Sequence, residues 1–185
     1  MLRIAQLSTP GKIELKHREP LTAGPGEAII DVQYAGVCNT DFALFRGDYP
    51  VPLPHVCGHE LTGNVKRVGE NVDKNWIGKT VTAEINNTCI VYGKKTLCAA
   101  CAKSVPSHCL KRTVTGIIGH EGAFADEVIV AAGTLHEIPS NIDPLIATLT
   151  EPLAAALQTF EMSPVGKNET LVIIGPIKHT NFLFL

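Results

Sequence analysis

The sequence has no basic cluster. Its 16 lysines and arginines are set against 18 acidic residues, for a formal net charge of −2, and they are scattered. The densest basic groupings are short pairs such as Lys94-Lys95 and Lys111-Arg112. A nucleic-acid backbone or an anionic membrane surface calls for a patch of such residues on one face, so neither is an expected partner. Long apolar runs are missing too. Met1-Leu2-Arg3-Ile4-Ala5-Gln6 turns polar too early for an export signal, and no stretch reaches the roughly 20 apolar residues of a membrane-spanning helix. The chain reads as soluble and cytoplasmic. A third absence concerns glycine. Glu169-Thr170-Leu171-Val172-Ile173-Ile174-Gly175-Pro176 reads as a buried parallel strand ending in a glycine turn, where a dinucleotide-binding fold would begin. The Gly-x-Gly-x-x-Gly pattern that brings backbone close to a pyrophosphate needs further glycines here, and Ile177 and Lys178 to Thr180 supply none. The chain then ends at Leu185, short of a βαβ unit of about 30 residues.

What is present fits one good core with the start of a second domain. Residues 1 to about 37 read as strands: Ile13-Glu14-Leu15-Lys16-His17 alternates, and Gly24-Pro25-Gly26-Glu27 is a turn before Ala28-Ile29-Ile30-Asp31-Val32. A short helix is expected to open near Cys38 and close at Gly47. A thiol at that N-terminus would favour its thiolate, the ligand form, although a lone cysteine is more often simply buried. Strand character returns over 61–83, and again in Gly122 to Val130 and Leu135 to Pro139. His120 and His136 are isolated and read as ordinary surface or core histidines. Thr150-Glu151-Pro152-Leu153-Ala154 is a strong helix start with Thr150 as its cap, and Glu151 alone would be a dipole-favoured carboxylate of the first turn.

Residues 86–115 follow neither the strand nor the helix period, and so long a loop needs a reason. Four of the six cysteines lie here: Cys89, eight residues, Cys98, two residues, Cys101, seven residues, Cys109. Without an export signal, such crowding favours metal over disulfides. Four thiolates make a closed tetrahedral zinc site that staples a loop and leaves no open position. The alternative is a redox dithiol at Cys98 and Cys101, but that motif normally opens a helix in a βαβ setting that is absent here.

The chemical centre of the sequence is Gly58-His59-Glu60-Leu61-Thr62-Gly63. Neighbours on an extended strand point to opposite sides, so His59 and Glu60 can share one site only where the backbone bends, and the flanking glycines permit that. Together with Gly36-Val37-Cys38-Asn39-Thr40-Asp41, Gly69, the cysteine lobe and Glu151-Pro152-Leu153, this stretch resembles the zinc-dependent medium-chain alcohol dehydrogenase family over residues 1 to about 174. The segment Thr150 to Ala155 looks closer to the threonine- and polyol-dehydrogenase-like branches than to the branch with a cysteine there.

The resemblance implies a mainly β fold with short helices. It would be a GroES-like, partly open β-barrel over residues 1–155, with the zinc lobe at about 86–115. Residues 156–185 would hold a linking helix and only the first strand of a Rossmann domain. It implies Cys38 and His59 as ligands of a catalytic zinc, Glu60 and Glu151 filling or exchanging at the remaining protein position, Thr40 as the start of a proton relay and Asp41 as the carboxylate orienting His59. Cys89, Cys98, Cys101 and Cys109 would hold a structural zinc, and Cys57 would be a packed thiol. The implied reaction takes a small alcohol or carbonyl substrate, with hydride passing to NAD(P). Two departures qualify this. Ile90 to Leu97 are extra between the first two lobe cysteines and threaten to displace Cys89. The family's cofactor domain has no counterpart in the sequence, so little turnover is expected of this chain alone. A non-catalytic zinc-binding or interaction module is the alternative, with self-association through the Leu171–Ile174 strand and the ending Phe182-Leu183-Phe184-Leu185.

Overall fold

The computed structural model describes residues 1–172. The first 18 residues form a hairpin of β1 (Leu2–Thr9) and β2 (Lys12–Arg18), turned at Pro10-Gly11. Next come β3 (Glu27–Gly36), α1 (Asn39–Arg46), β4 (His55–Val56) and β5 (Glu60–Val68). The elements β6 (Thr80–Ala83), β7 (Asn86–Asn87), α2 (Ala99–Ala102), β8 (Thr113–Thr115) and β9 (Gly119–His120) follow. The described chain closes with β10 (Glu127–Ala131), β11 (Leu135–Glu137), α3 (Pro144–Ala147) and α4 (Thr150–Met162).

The fold is mainly β with short helices, as the sequence implies. A five-stranded sheet in the order β10-β3-β5-β6-β11 carries the core, with β2-β1-β4 and β7-β8-β9 as smaller sheets. Ala28, Ile29 and Ile30 are buried in succession because β3 is covered on both faces. Ala28, Ile30, Leu61, Val65, Val81, Val128 and Val130 form the main cluster. The expected helix from Cys38 to Gly47 is α1, closed by Gly47 in the left-handed conformation (φ 81°). Thr150 is not the cap of α4. Leu149 takes that place, and the Thr150 hydroxyl instead donates to the Ala147 carbonyl at 2.7 Å, because α3 leads almost directly into α4. Helix α4 runs through residue 155 without a break. Of the expected strand from Glu169 to Pro176, only residues 169–172 are described, and they form no strand. Its remainder and the Phe182–Leu185 ending lie outside the described residues. Among the described residues no helix is long and apolar enough to cross a membrane.

Among the buried carboxylates, Glu127 is enclosed between two cations. Glu127, 1% exposed, pairs with Lys66 Nζ at 3.0 Å and Arg67 Nη2 at 2.6 Å. Burial opposes its ionisation, but the two cations more than offset that, and its pKa lies below the ordinary value. A carboxylate with a depressed folded pKa contributes stability above the unfolded value of about 4.3 and loses it as pH falls further. Arg67 is partly exposed, so its share is modest. Arg67→Ala is expected to cost about 1–2 kcal/mol at neutral pH and to flatten the acid limb of stability. Urea midpoints measured between about pH 3 and 7 test this, and a variant with the parent's acid limb would refute it.

Candidate metal centre

Cys38 occupies the corner where β3 gives way to α1, extended at φ −97° and ψ 161°. Three residues on, Asp41 turns back: its Oδ2 accepts the Cys38 backbone N–H at 2.8 Å. Its other oxygen accepts the Gly58 N–H at 3.1 Å and lies 3.6 Å from His59 Nδ1. One buried carboxylate therefore joins the loop carrying Cys38 to the turn carrying His59. That turn depends on Gly58, whose φ of +96° suits glycine. A Cβ there would lie 2.6 Å from Phe124 Cδ1 and 2.9 Å from the Phe124 nitrogen.

The bend before His59 lets consecutive residues serve one place. His59 and Glu60 are 3% and 2% exposed, and ligand atoms of Cys38, His59 and Glu60 all lie within 4.8 Å of one another. Gly36 makes room for the carboxylate. It sits opposite Glu60 in the β3–β5 register, and a Cβ on it would fall 2.2 Å from Glu60 Oε2. Gly36→Ala is thus expected to drive Glu60 from its position and weaken metal binding at this cluster about 10- to 100-fold. Cobalt titration of the purified variant measures this, and unchanged affinity would show that Glu60 is not needed where it stands.

The charges agree with a ligand set. Burial opposes a proton on His59, but the Asp41 carboxylate 3.6 Å from Nδ1, the Cys38 thiol and the Glu151 charge outweigh it and raise its pKa to about 10. The Cys38 thiol is shifted down, chiefly by its hydrogen bond with His59, with Thr40 assisting and burial opposing. Both shifts run toward a thiolate at Cys38 and a proton on His59; a metal takes imidazole unprotonated, so an incoming cation would displace that proton. Thr40 Oγ1 stands 3.8 Å from Cys38 Sγ.

Glu151 lies apart from the three. It is in the first turn of α4, lining a groove of about 370 Å³ with Glu84, Asn86, His136 and Gln158, though close enough for its charge to act on His59. The sequence reading missed what holds that helix. Thr62, fully buried on β5, donates to the Pro144 carbonyl at 2.7 Å and stands 3.0 Å from the Thr148 hydroxyl, which docks α3 and the start of α4 onto the His59 strand. A threonine in a strand gives no signal of such a role.

The four lobe cysteines also converge, all within 4.8 Å, with Cys98 partly exposed and the rest buried. Sγ separations are 3.6 Å for Cys89–Cys109 and 3.8 Å for Cys98–Cys109. Sulfurs about 2.3 Å from a central zinc define a tetrahedron with edges of about 3.8 Å, whereas a disulfide needs about 2.05 Å. The donor set therefore fits zinc. Cys89 is not displaced by the extra residues. Ile90 to Gly93 form a tight turn, closed by Lys94 N–H to the Cys89 carbonyl at 3.0 Å. The turn docks on the barrel through Gly133 N–H to the Val91 carbonyl, also 3.0 Å. Backbone N–H groups of Cys101 and Leu110 aimed at the Cys98 sulfur lower its pKa to about 6. Burial and the neighbouring thiols push Cys101 up to about 12. Four thiolates cannot crowd together without a cation. Cys57 is a buried thiol packed with Leu7 and Leu44.

Residues 24–140 match the model of the alcohol dehydrogenase GroES-like domain. Sorbitol dehydrogenase of Halalkalibacterium halodurans is 32% identical over 166 residues, covering 90% of this chain and 47% of that protein. L-threonine 3-dehydrogenase of Bacillus subtilis is 37% identical over 158 residues, 82% of this chain and 43% of that one. Among solved structures, a putative zinc-binding dehydrogenase from Sinorhizobium meliloti bound to NADP superposes with a TM-score of 0.80 at 29% identity, covering 92% of this chain and 48% of that chain. The chain spans about half the length of the curated relatives it matches.

Proposed function

Since the chain belongs to the alcohol dehydrogenase GroES-like domain family, we propose that it is the zinc-holding catalytic half of an alcohol or polyol dehydrogenase. The observation that carries the reading is the convergence of Cys38, His59 and Glu60 in a buried cluster beside the Thr40 hydroxyl. Cys38 and His59 would hold the catalytic metal, with Glu60 or Glu151 at the remaining protein position, and Cys89, Cys98, Cys101 and Cys109 would hold a structural one. When bound, zinc supplies a Lewis acid that lowers the pKa of an alcohol oxygen.

The chain's own residues do the rest. Asp41 ties the Cys38 loop to Gly58 and, with an oxygen 3.6 Å from Nδ1, would orient the ring of His59. Thr40, whose hydroxyl stands 3.8 Å from Cys38 Sγ, would receive the substrate's hydroxyl proton and pass it outward, and the burial of Cys38, His59 and Glu60 would limit bulk water at the cluster. Hydride would leave the carbinol carbon for NAD(P), as the family implies, and none of the described residues is assigned to that cofactor. Two of the relatives are named for sorbitol and L-threonine, both bearing hydroxyl groups, and the groove beside Glu151 is where a small alcohol or polyol would enter.

Metal analysis of the purified chain tests the reading. Two zinc per chain are expected, falling to one in Cys38→Ala. A metal-free native chain, or two zinc retained in Cys38→Ala, would reject the site.

A further inference from the structure

Phenylalanine is sparse in this chain, six of 185 residues, yet Phe42, Phe45 and Phe124 line a single pocket of about 250 Å³. It lies between the β1–β2 hairpin and α1. Buried Leu7 and Cys57 form its floor, while Ile13, Val37 and Phe42, exposed by 48%, 55% and 51%, stand at its mouth. Asp41 is the one charged residue in the wall, and both its oxygens are turned to the Cys38 and Gly58 N–H groups. Only apolar surface faces the interior.

We propose that this pocket binds a small uncharged aromatic molecule, and that its occupancy is coupled to the neighbouring metal centre. The size suits a single substituted ring, since a cavity of about 150 Å³ already holds benzene. Three phenylalanine rings offer edge and face contacts to such a ring, which a straight alkyl chain would use less well. A charged ligand would find no partner there and would lose its hydration.

The coupling follows from which elements make the walls. Val37 precedes Cys38, Asp41 joins the Cys38 loop to Gly58, and Cys57 leads through Gly58 into His59. A ring seated between α1 and Cys57 braces the two segments that carry Cys38 and His59. Metal and ring then favour the same arrangement, and by linkage each strengthens the other. This second element rests on the proposed metal centre; the pocket itself does not.

Toluene is the probe, with the full chain and two variants, Phe42→Ala and Ile13→Glu, at half-exposed positions whose folding is checked by circular dichroism. Saturation-transfer NMR is expected to detect binding to the parent, weakened about tenfold in each variant by loss of one aromatic wall or by a carboxylate at the mouth. No binding to the parent, or binding by both folded variants as tight as the parent's, overturns the pocket. The coupling is read from the cobalt absorption that disappears in His59→Ala. Saturating toluene is expected to raise cobalt affinity at that site at least about twofold in the parent and not in Phe42→Ala. Toluene binding with unmoved cobalt affinity overturns the coupling. Lack of any His59-dependent cobalt band overturns the metal reading, while the NMR arm still decides the pocket.

Discussion

Cys109→Ser is expected to empty the cysteine lobe of metal and to unfold it while the barrel stays intact. Its Sγ lies 3.6 Å from Cys89 and 3.8 Å from Cys98, so it borders at least two of the other three sulfurs in the cluster. Burial resists its ionisation, yet backbone N–H groups of Cys89 and Lys111 hold its pKa down, which prepares it as a thiolate. Structural zinc in small domains contributes on the order of 10 kcal/mol of binding free energy that is also folding free energy. The lobe has little else. Its own apolar cluster is the cysteines themselves, whereas the barrel has the Ile30–Leu61–Val81–Val130 core. The break should fall just inside Asn87, whose side chain is tied to the Thr115 hydroxyl at 3.0 Å and anchors the base of the lobe. Hydrogen exchange would then show protection lost between residues 88 and 112 and kept in β3, β5 and β10. Metal content should drop by one zinc per chain. A variant that keeps both zincs, or keeps lobe protection without the metal, would mean the cysteine cluster holds itself together by packing.

The second large effect is expected at Asp41. Asp41→Ala leaves the buried N–H groups of Cys38 and Gly58 without their acceptor and removes the carboxylate facing His59. Each orphaned buried donor costs about 1–3 kcal/mol, so a total of about 4 kcal/mol is expected. For a chain of this size that is a fall in melting temperature of roughly 10 °C. Metal affinity at the Cys38–His59 cluster should fall about 10- to 100-fold, as for other residues that orient metal-bound histidines. Asp41→Asn keeps one carbonyl acceptor and should recover part of the stability but less of the affinity, since it returns no charge. Thermal denaturation and cobalt titration of the two variants separate these contributions. Equal stability and affinity in parent and Asp41→Ala would show that the carboxylate merely fills space.

The sequence-level reading and the structure meet most closely where chemistry demands particular residue types. Cys38, His59 and Glu60 are visible because a buried site must draw thiol, imidazole and carboxylate from few positions, and because Gly58 marks a backbone conformation suited to glycine. The lobe is visible because four cysteines in a stretch without periodicity have few other uses. The strands of the barrel follow from alternation and turn residues. Less was legible at Thr150, read as a helix cap. Its hydroxyl reaches Ala147 instead, because α3 fills the space in front of it. A cap is local chemistry, but whether a side chain caps depends on what precedes it in space.

Sequence by itself determined the family and the mainly β character, and it singled out the candidate ligands, since these rest on residue types and short spacings. Tertiary structure decided three things. It kept Cys89 in the cluster, because Ile90 to Gly93 turn tightly and dock on the barrel at Gly133. It grouped Glu60, and not Glu151, with Cys38 and His59, because Gly36 leaves room beside one carboxylate while the α4 helix start holds the other farther off. It also gathered three of the few phenylalanines around one pocket behind the loop that carries Cys38. Each is a matter of distance between segments far apart in the chain, set by register and packing, which no local pattern of residues encodes.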